Sequence, residues 1–203
     1  MGTRTNRKRK DKMVSVIIPV VRPDNLDKLI KLVRDNAGIE HEIITEMDKE
    51  GIGCPKMVAK LLKRTKYEYV CFIGDDTEPQ KNFLKEAMEI MKRFKDSWGL
   101  VGLNDLTGRR LPTHWVASKS LLVHIGGEFF HTGYNHCYCD NELWLRSEVI
   151  GRYMYALNAV VKHNHPLLNR KYNQDKFYLK VYNEDMEKDK ELFLNRNSNL
   201  IKH

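Results

Sequence analysis

Apolar residues cluster into short β-branched runs separated by stretches with helical spacing. The run Met13 to Val20 has no polar alternation and closes at Pro19, which predicts a strand buried on both faces, as in a parallel sheet. Asp24 or Asn25 can cap the next segment, where Leu26, Leu29, Ile30 and Val33 follow helical spacing until Asn36-Ala37-Gly38. Glu42 to Glu46 predicts a second strand, followed by a polar loop from Met47 to Cys54. Pro55 opens a second helix with Met57, Val58, Leu61 and Leu62 on one side. Tyr69 to Ile73 predicts a third strand, and a third helix follows from about Gln80 to Lys95, with Phe83, Leu84, Ala87, Met88 and Met91 on its apolar side.

Three strand–helix alternations within the first hundred residues are the sequence form of a βαβαβ unit. They predict a single α/β domain with a mostly parallel central sheet between helices, a Rossmann-like αβα sandwich. Ligands of such sheets bind beyond the carboxyl ends of the strands. Arg22, Glu46, Asp48, Asp75 and Asp76 fall there. The second half is less regular. Trp98 to Leu103 predicts a fourth strand, Asn104 to Thr113 a polar loop with Gly108, Arg109 and Arg110, and Trp115 to Ile125 a strand or helix. Phe129 to Cys139 is aromatic and rich in histidine. Asp140 to Ile150 predicts a helix, Tyr153 to Lys162 a strand, and 173 to about 195 a charged helical tail. Its packing candidates are Tyr178, Val181, Tyr182, Met186, Leu192 and Phe193.

A chain of 203 residues with 41% apolar, 31% charged and 9% aromatic residues suits one folded domain rather than a disordered chain. No run reaches the length of a membrane span, and the N-terminus has no apolar segment behind its charges. A cytoplasmic protein is therefore expected. Cys54, Cys71, Cys137 and Cys139 are read as reduced thiols; a zinc site from Cys137, Cys139 and His131 or His136 is the minor alternative. The net charge of +8 is concentrated in residues 1–12, where Arg4, Arg7, Lys8, Arg9, Lys10 and Lys12 face only Asp11, leaving about +3 for the remainder. The arm reads as a solvated basic tail or as a peripheral contact to an anionic membrane. The body has no nucleic-acid footprint.

The chemistry is most legible at Gly74-Asp75-Asp76. Adjacent carboxylates at a buried strand end repel each other unless a cation sits beside them. A hard divalent ion that also takes phosphate oxygens meets that need, which points to a nucleotide-dependent enzyme.

Five segments, in order, resemble family 2-type glycosyltransferases with a GT-A fold. They are Val16 to Arg22 with Asn25-Leu26 and Leu29-Ile30 behind it, Glu46-Met47-Asp48, Ile73 to Pro79 as the DXD-type motif, Asp140 to Arg146, and His163-Asn164-His165-Pro166. Gly74 stands where many relatives carry Asp or Asn. The resemblance implies metal-dependent, inverting transfer of a sugar from a UDP-, GDP- or dTDP-sugar to the hydroxyl of a glycan or another acceptor, with Mn2+ or Mg2+ as cofactor. It implies a nucleotide-binding half over 13–103, an acceptor-binding half over 104–170, and a C-terminal tail over 171–203 packing on the domain.

Residue by residue, it implies Asp76 as metal ligand, with Asp75 beside it on ribose or metal. His165 or His163 completes the shell; two apart on an extended segment, only one of these is expected to face the metal. Asp140 is the candidate general base and Glu142 its runner-up. Asp48 or Glu46 would bind base or ribose, Lys56 base or phosphate, and Pro19 and Arg22 would line the base pocket. Trp115 and the 131–138 stretch would offer stacking faces to the acceptor, with Arg146 orienting a carboxylate or phosphate. The alternatives are a sugar nucleotidyltransferase-like enzyme, against which the Pro19 to Pro23 segment speaks because it lacks a Gly-rich loop, a nucleotide-binding relative without turnover, and an anionic-surface or nucleic-acid binder using the arm.

Overall fold

The computed structural model describes residues 13–165, 179 and 184–201. The basic arm and the tail positions Tyr178, Val181 and Tyr182 lie outside them, as does Pro166. Strand β1 (Val14–Val20) is buried along its whole length. Its parallel neighbours are β2 (His41–Met47) and β3 (Tyr69–Phe72), reached through helices α1 (Leu26–Asn36) and α2 (Cys54–Leu62). This is the βαβαβ unit expected from the apolar runs. The complete sheet has seven strands in the order β2-β1-β3-β6-β5-β7-β4, with β4 (Thr77–Pro79), β5 (Leu100–Asn104), β6 (Trp115–Ser118) and β7 (Tyr153–His163).

The sheet is mixed, which corrects the expectation of a mostly parallel one. Strand β6 runs antiparallel to both β3 and β5, and β4 antiparallel to β7; only β5 and β7 add a further parallel pair. The cause is the connections. A parallel neighbour needs a crossover of a dozen or so residues, usually helical. The ten positions 105–114 between β5 and β6 form no helix, so β6 returns beside β5. Residues 77–79, expected to lead into a helix, leave β3 after a short turn and pair with β7 instead. Helix α3 (Phe83–Met91) then starts after Asn82, whose φ is +65°.

Two apolar cores cover the sheet faces. Val14, Val16, Ile18 and Val20 pack with Leu29, Val33, Phe83, Leu84 and Met88 on one side. Ile17, Val70, Phe72 and Trp115 pack with Val58, Leu61, Phe129, Phe130 and Leu143 on the other. The short helix α4 (Leu122–Ile125) and helix α5 (Cys139–Val149) lie on this second side, followed near the C-terminus by α6 (Met186–Arg196) and α7 (Ser198–Ile201). Among the described residues no helix is long and apolar enough to cross a membrane.

Candidate active site

The carboxyl ends of β1 and β3 open into a cavity of about 410 Å3. That volume is within the range of small-molecule sites. Its floor is stitched by Asp75. One carboxylate oxygen accepts the backbone N–H groups of Val21 and Arg22, each at 2.6 Å, and the other accepts Arg22 Nη1 at 2.7 Å. Burial and the neighbouring Asp76 charge raise the Asp75 pKa, although Arg22 and the two amides pull the other way. Asp75 therefore holds the β1 loop and the Arg22 guanidinium in place, and Asp76 is the carboxylate turned to the cavity's histidines.

Asp76 Oδ2 lies 3.4 Å from His163 Nε2 and 3.5 Å from Arg22 Nη1. Burial alone would lower the His163 pKa; the Asp76 carboxylate, helped by Asp105, outweighs it, so the net shift is upward. Gly74 explains the incomplete acidic motif. A Cβ there would come 2.7 Å from Asp76 Oδ1 and 3.4 Å from His114 Cε1, so the Asp76 carboxylate uses the room that a side chain would need.

His163 and His165 both line the cavity, which corrects the expectation that residues two apart on an extended segment would point to opposite sides here. Opposed side chains require continuous strand, and β7 ends at His163. There the His165 N–H bonds to the His163 carbonyl at 2.9 Å and the Asn164 N–H to the Asp76 carbonyl at 2.9 Å. This tight turn leaves the two rings 5.0 Å apart. Burial, then the His163 charge, depresses the His165 pKa to about 4.

A divalent metal fits part of this donor set. Ligand atoms about 2.0–2.2 Å from one ion stand roughly 3–3.5 Å apart, so the Asp76 Oδ2–His163 Nε2 pair at 3.4 Å can share one. Among the described residues no three His, Cys, Asp or Glu side chains already surround one point. The set thus suits a hard ion that completes its shell with water and phosphate oxygens.

Asp140 reaches the same cavity from the first turn of α5. Its carboxylate accepts the Asn141 N–H at 2.9 Å and the Thr113 hydroxyl at 3.4 Å, and burial raises its pKa. A half-buried carboxylate with a raised pKa and few donors has the character of a proton acceptor.

Pro19, Arg22 and Asp48 also line the cavity. Both Asp48 oxygens accept backbone N–H groups, from Ile52 and Gly53 at 2.9 Å each, which closes the loop 48–53. Opposite, His136, Cys137 and Tyr138 contribute a wall from the aromatic stretch. Burial raises the pKa values of Cys54, Cys137 and Cys139, keeping these cavity thiols protonated.

The remaining sequence candidates lie elsewhere. Glu142 is 4% exposed and takes Arg146 Nη2 at 2.7 Å, Arg196 Nη2 at 2.8 Å and the Tyr134 hydroxyl. Burial would raise its pKa, but these donors outweigh it and the net shift is downward. It is a structural carboxylate that ties α5 to α6. Arg146 is held there and at the Ile125 carbonyl, 3.0 Å away. Trp115 has no exposed surface and packs among Phe72, Phe129 and Phe130, so it presents no stacking face. Glu46 pairs with Lys60 and Arg64, and Lys56 is exposed; neither lines the cavity.

Three residues escaped the sequence reading. Asp105 and His114 begin and end the β5–β6 loop, and both are 2% exposed. Between them Thr107, Arg109, Leu111 and Thr113 line the cavity at every second position. Asp189, also 2% exposed, accepts the N–H groups of Asn135, His136 and Cys137 at 2.7–2.9 Å and so fixes the opposite wall.

No protein-family profile and no curated protein sequence matches the chain. Solved structures do. A mannosyltransferase from Pyrobaculum calidifontis, PcManGT, in complex with GDP-Man and Mn2+, superposes with a TM-score of 0.58 at 13% identity, over 74% of this chain and 56% of that one. S. aureus TarS 1-349 in complex with UDP gives 0.59 at 12% identity, over 86% and 76%. A longer S. aureus TarS structure gives 0.59 at 14%, over 91% and 43%. The chain thus spans little more than half the length of the mannosyltransferase. The single α/β domain with its mixed seven-stranded sheet is the fold seen in these glycosyltransferase structures.

Proposed function

We propose that this chain is an inverting, metal-assisted glycosyltransferase of the GT-A family 2 type. The observation that carries the reading is the convergence of Asp76, His163, His165 and Asp140 on one cavity at the carboxyl ends of β1 and β3. GDP-Man with Mn2+ in the mannosyltransferase structure and UDP in TarS support a nucleotide-sugar donor here; a dTDP-sugar remains within the same class. Mn2+ or Mg2+, held by Asp76 with His163 and His165, would supply positive charge against the donor diphosphate.

The chain's own residues divide the remaining work. Arg22, fixed by Asp75, offers a positioned cation next to the diphosphate. Pro19 and the loop closed by Asp48 border the nucleoside. Asp140 accepts the proton of the acceptor hydroxyl as its oxygen bonds to the anomeric carbon. The bond from that carbon to the diphosphate breaks at the same time, and the electron pair leaves with the diphosphate. Attack from the side opposite the leaving group inverts the anomeric centre. The half-buried wall of His136 and Tyr138 and the 105–114 loop are positioned to border an acceptor glycan.

The test is incubation with UDP-, GDP- and dTDP-sugars, Mn2+ and a panel of oligosaccharide acceptors, followed by NMR of the product's anomeric proton. The expected product has the configuration opposite to the donor and is absent with Asp140→Asn. Retained configuration, or undiminished turnover by Asp140→Asn, would overturn the assignment.

A further inference from the structure

The Gly74 N–H donates to His114 Nδ1 at 3.3 Å. Only a lone pair can accept that proton, so Nδ1 is unprotonated and the ring's single proton sits on Nε2. His114 is 2% exposed and lines the cavity, and among the described residues its Nε2 has no hydrogen-bond partner. It cannot turn freely. The His114 carbonyl accepts the Leu103 N–H at 2.9 Å, and the ring stands edge-on to His163, 4.7 Å between centroids. A buried donor without an acceptor is costly, and cavities built to pair such donors discriminate strongly for ligands that supply the acceptor.

We propose that His114 is a donor-binding and specificity residue. Its fixed Nε2–H pairs with an acceptor oxygen of the bound nucleotide sugar, next to the Asp76 carboxylate that occupies the room at Gly74. The inference rests on the proposed glycosyltransferase reading and adds to it a ligand contact outside the acidic motif, made from the β5–β6 loop. The absent side chain at position 74 is what brings the two together, because His114 Cε1 lies 3.4 Å from where a Cβ would stand. In this tautomer Nε2 carries a proton and is not a metal ligand, so its partner is an oxygen. That oxygen belongs either to the diphosphate or to a hydroxyl of the transferred sugar. A hydroxyl would also find the carboxylates Asp76 and Asp105 among the cavity residues as acceptors for its own proton.

The experiment is calorimetric titration of UDP, GDP, UDP-glucose and GDP-mannose with Mn2+ into the full chain, its His114→Leu variant and its His114→Gln variant. Glutamine can return an N–H donor near the Nε2 position. The expected result is about a tenfold rise in Kd for His114→Leu, the usual worth of one hydrogen bond, and near-parental affinity for His114→Gln. Weakening of UDP or GDP as well as their sugars assigns the oxygen to the diphosphate; weakening confined to the nucleotide sugars assigns it to the sugar. Unchanged affinity in His114→Leu overturns the proposal, as does equal weakening in both variants with unchanged thermal midpoints. A parental chain that binds none of the four overturns the glycosyltransferase reading itself, a result distinct from an unaltered variant. Should His114→Leu fail to fold, the His114 Nε2–H resonance of the parental chain serves instead. It is expected to move when the Mg2+-loaded ligand binds, and a stationary resonance at saturation overturns the contact.

Discussion

Asp189→Ala tests whether the C-terminal helix is part of the site's architecture. The carboxylate is 2% exposed and accepts three consecutive backbone amides: Asn135 at 2.9 Å, His136 at 2.8 Å and Cys137 at 2.7 Å. Each hydrogen bond to a charged group contributes roughly 1.5–3 kcal/mol, and truncation also strands the donors. The three share one carboxylate and are not additive, so the expected loss is about 3–5 kcal/mol, at the upper end for single substitutions. Asp189→Asn keeps one acceptor oxygen but turns an amide nitrogen toward an N–H, and about half of that loss is expected. The functional effect follows from what the loop carries. His136, Cys137 and Tyr138 wall the cavity, and Asp140 lies in the first turn of the helix behind them. The Asn135 carbonyl lies so close to loop 48–53 that a Cβ on Gly53 would meet it at 2.4 Å. Urea unfolding gives the stability change, and steady-state kinetics below the transition should show acceptor KM rising more than donor KM. A stability within about 0.5 kcal/mol of the parent, typical of ordinary surface positions, would refute the clamp.

Gly74→Ala drives a methyl toward Asp76 Oδ1, 2.7 Å from the new Cβ, and is expected to weaken metal-dependent nucleotide binding about tenfold or more with a small change in thermal midpoint. Parental affinity would refute the packing argument. Glu142→Leu leaves Arg146 and Arg196 without their buried carboxylate and should cost about 3–5 kcal/mol in denaturant unfolding; a cost under 1 kcal/mol would contradict its structural role. Asp140 carries a pH signature. Its folded pKa is raised, so its contribution to stability is fully present below its unfolded pKa and is lost as pH rises through the folded value. Asp140→Asn should therefore be more stable than the parent near pH 7, with the gap closing toward acid, read as thermal midpoints across pH. The opposite trend would contradict burial as the cause of the shift.

The βαβαβ half was legible because β1 and β3 are apolar runs, broken only by Ser15, and the helices between them keep one apolar side. Strand β4 was not, because Thr77-Glu78-Pro79 has no strand pattern and pairs only through β7. The direction of β6 depends on a ten-position loop that contains no helix, and no single residue announces that. Charge and order along the chain singled out Asp76, Asp140 and the two histidines, and all four line one cavity. Glu142 was misjudged for a geometric reason the sequence already held. Residues two apart on a helix point about 200° apart, whereas Glu142 and Arg146 are four apart and share a side. The same rule separates exposed Lys56 from Cys54 and Met57, which line the cavity. Trp115 looked available because a sequence does not show that Phe129 and Phe130 fold over it. Asp105, His114 and Asp189 are single polar residues in polar surroundings. Their burial is a tertiary fact, although the every-second-residue lining from Asp105 to Thr113 was a pattern open to reading.

The most direct test of the central claim is a calorimetric titration of UDP- and GDP-sugars, with and without Mn2+, into the parental chain and Asp76→Asn. The proposed site predicts that at least one nucleotide sugar binds, that chelating the metal weakens it about tenfold or more, and that Asp76→Asn removes the metal dependence. Binding of equal strength with and without metal and unchanged in Asp76→Asn, or no binding by any nucleotide sugar, would contradict it.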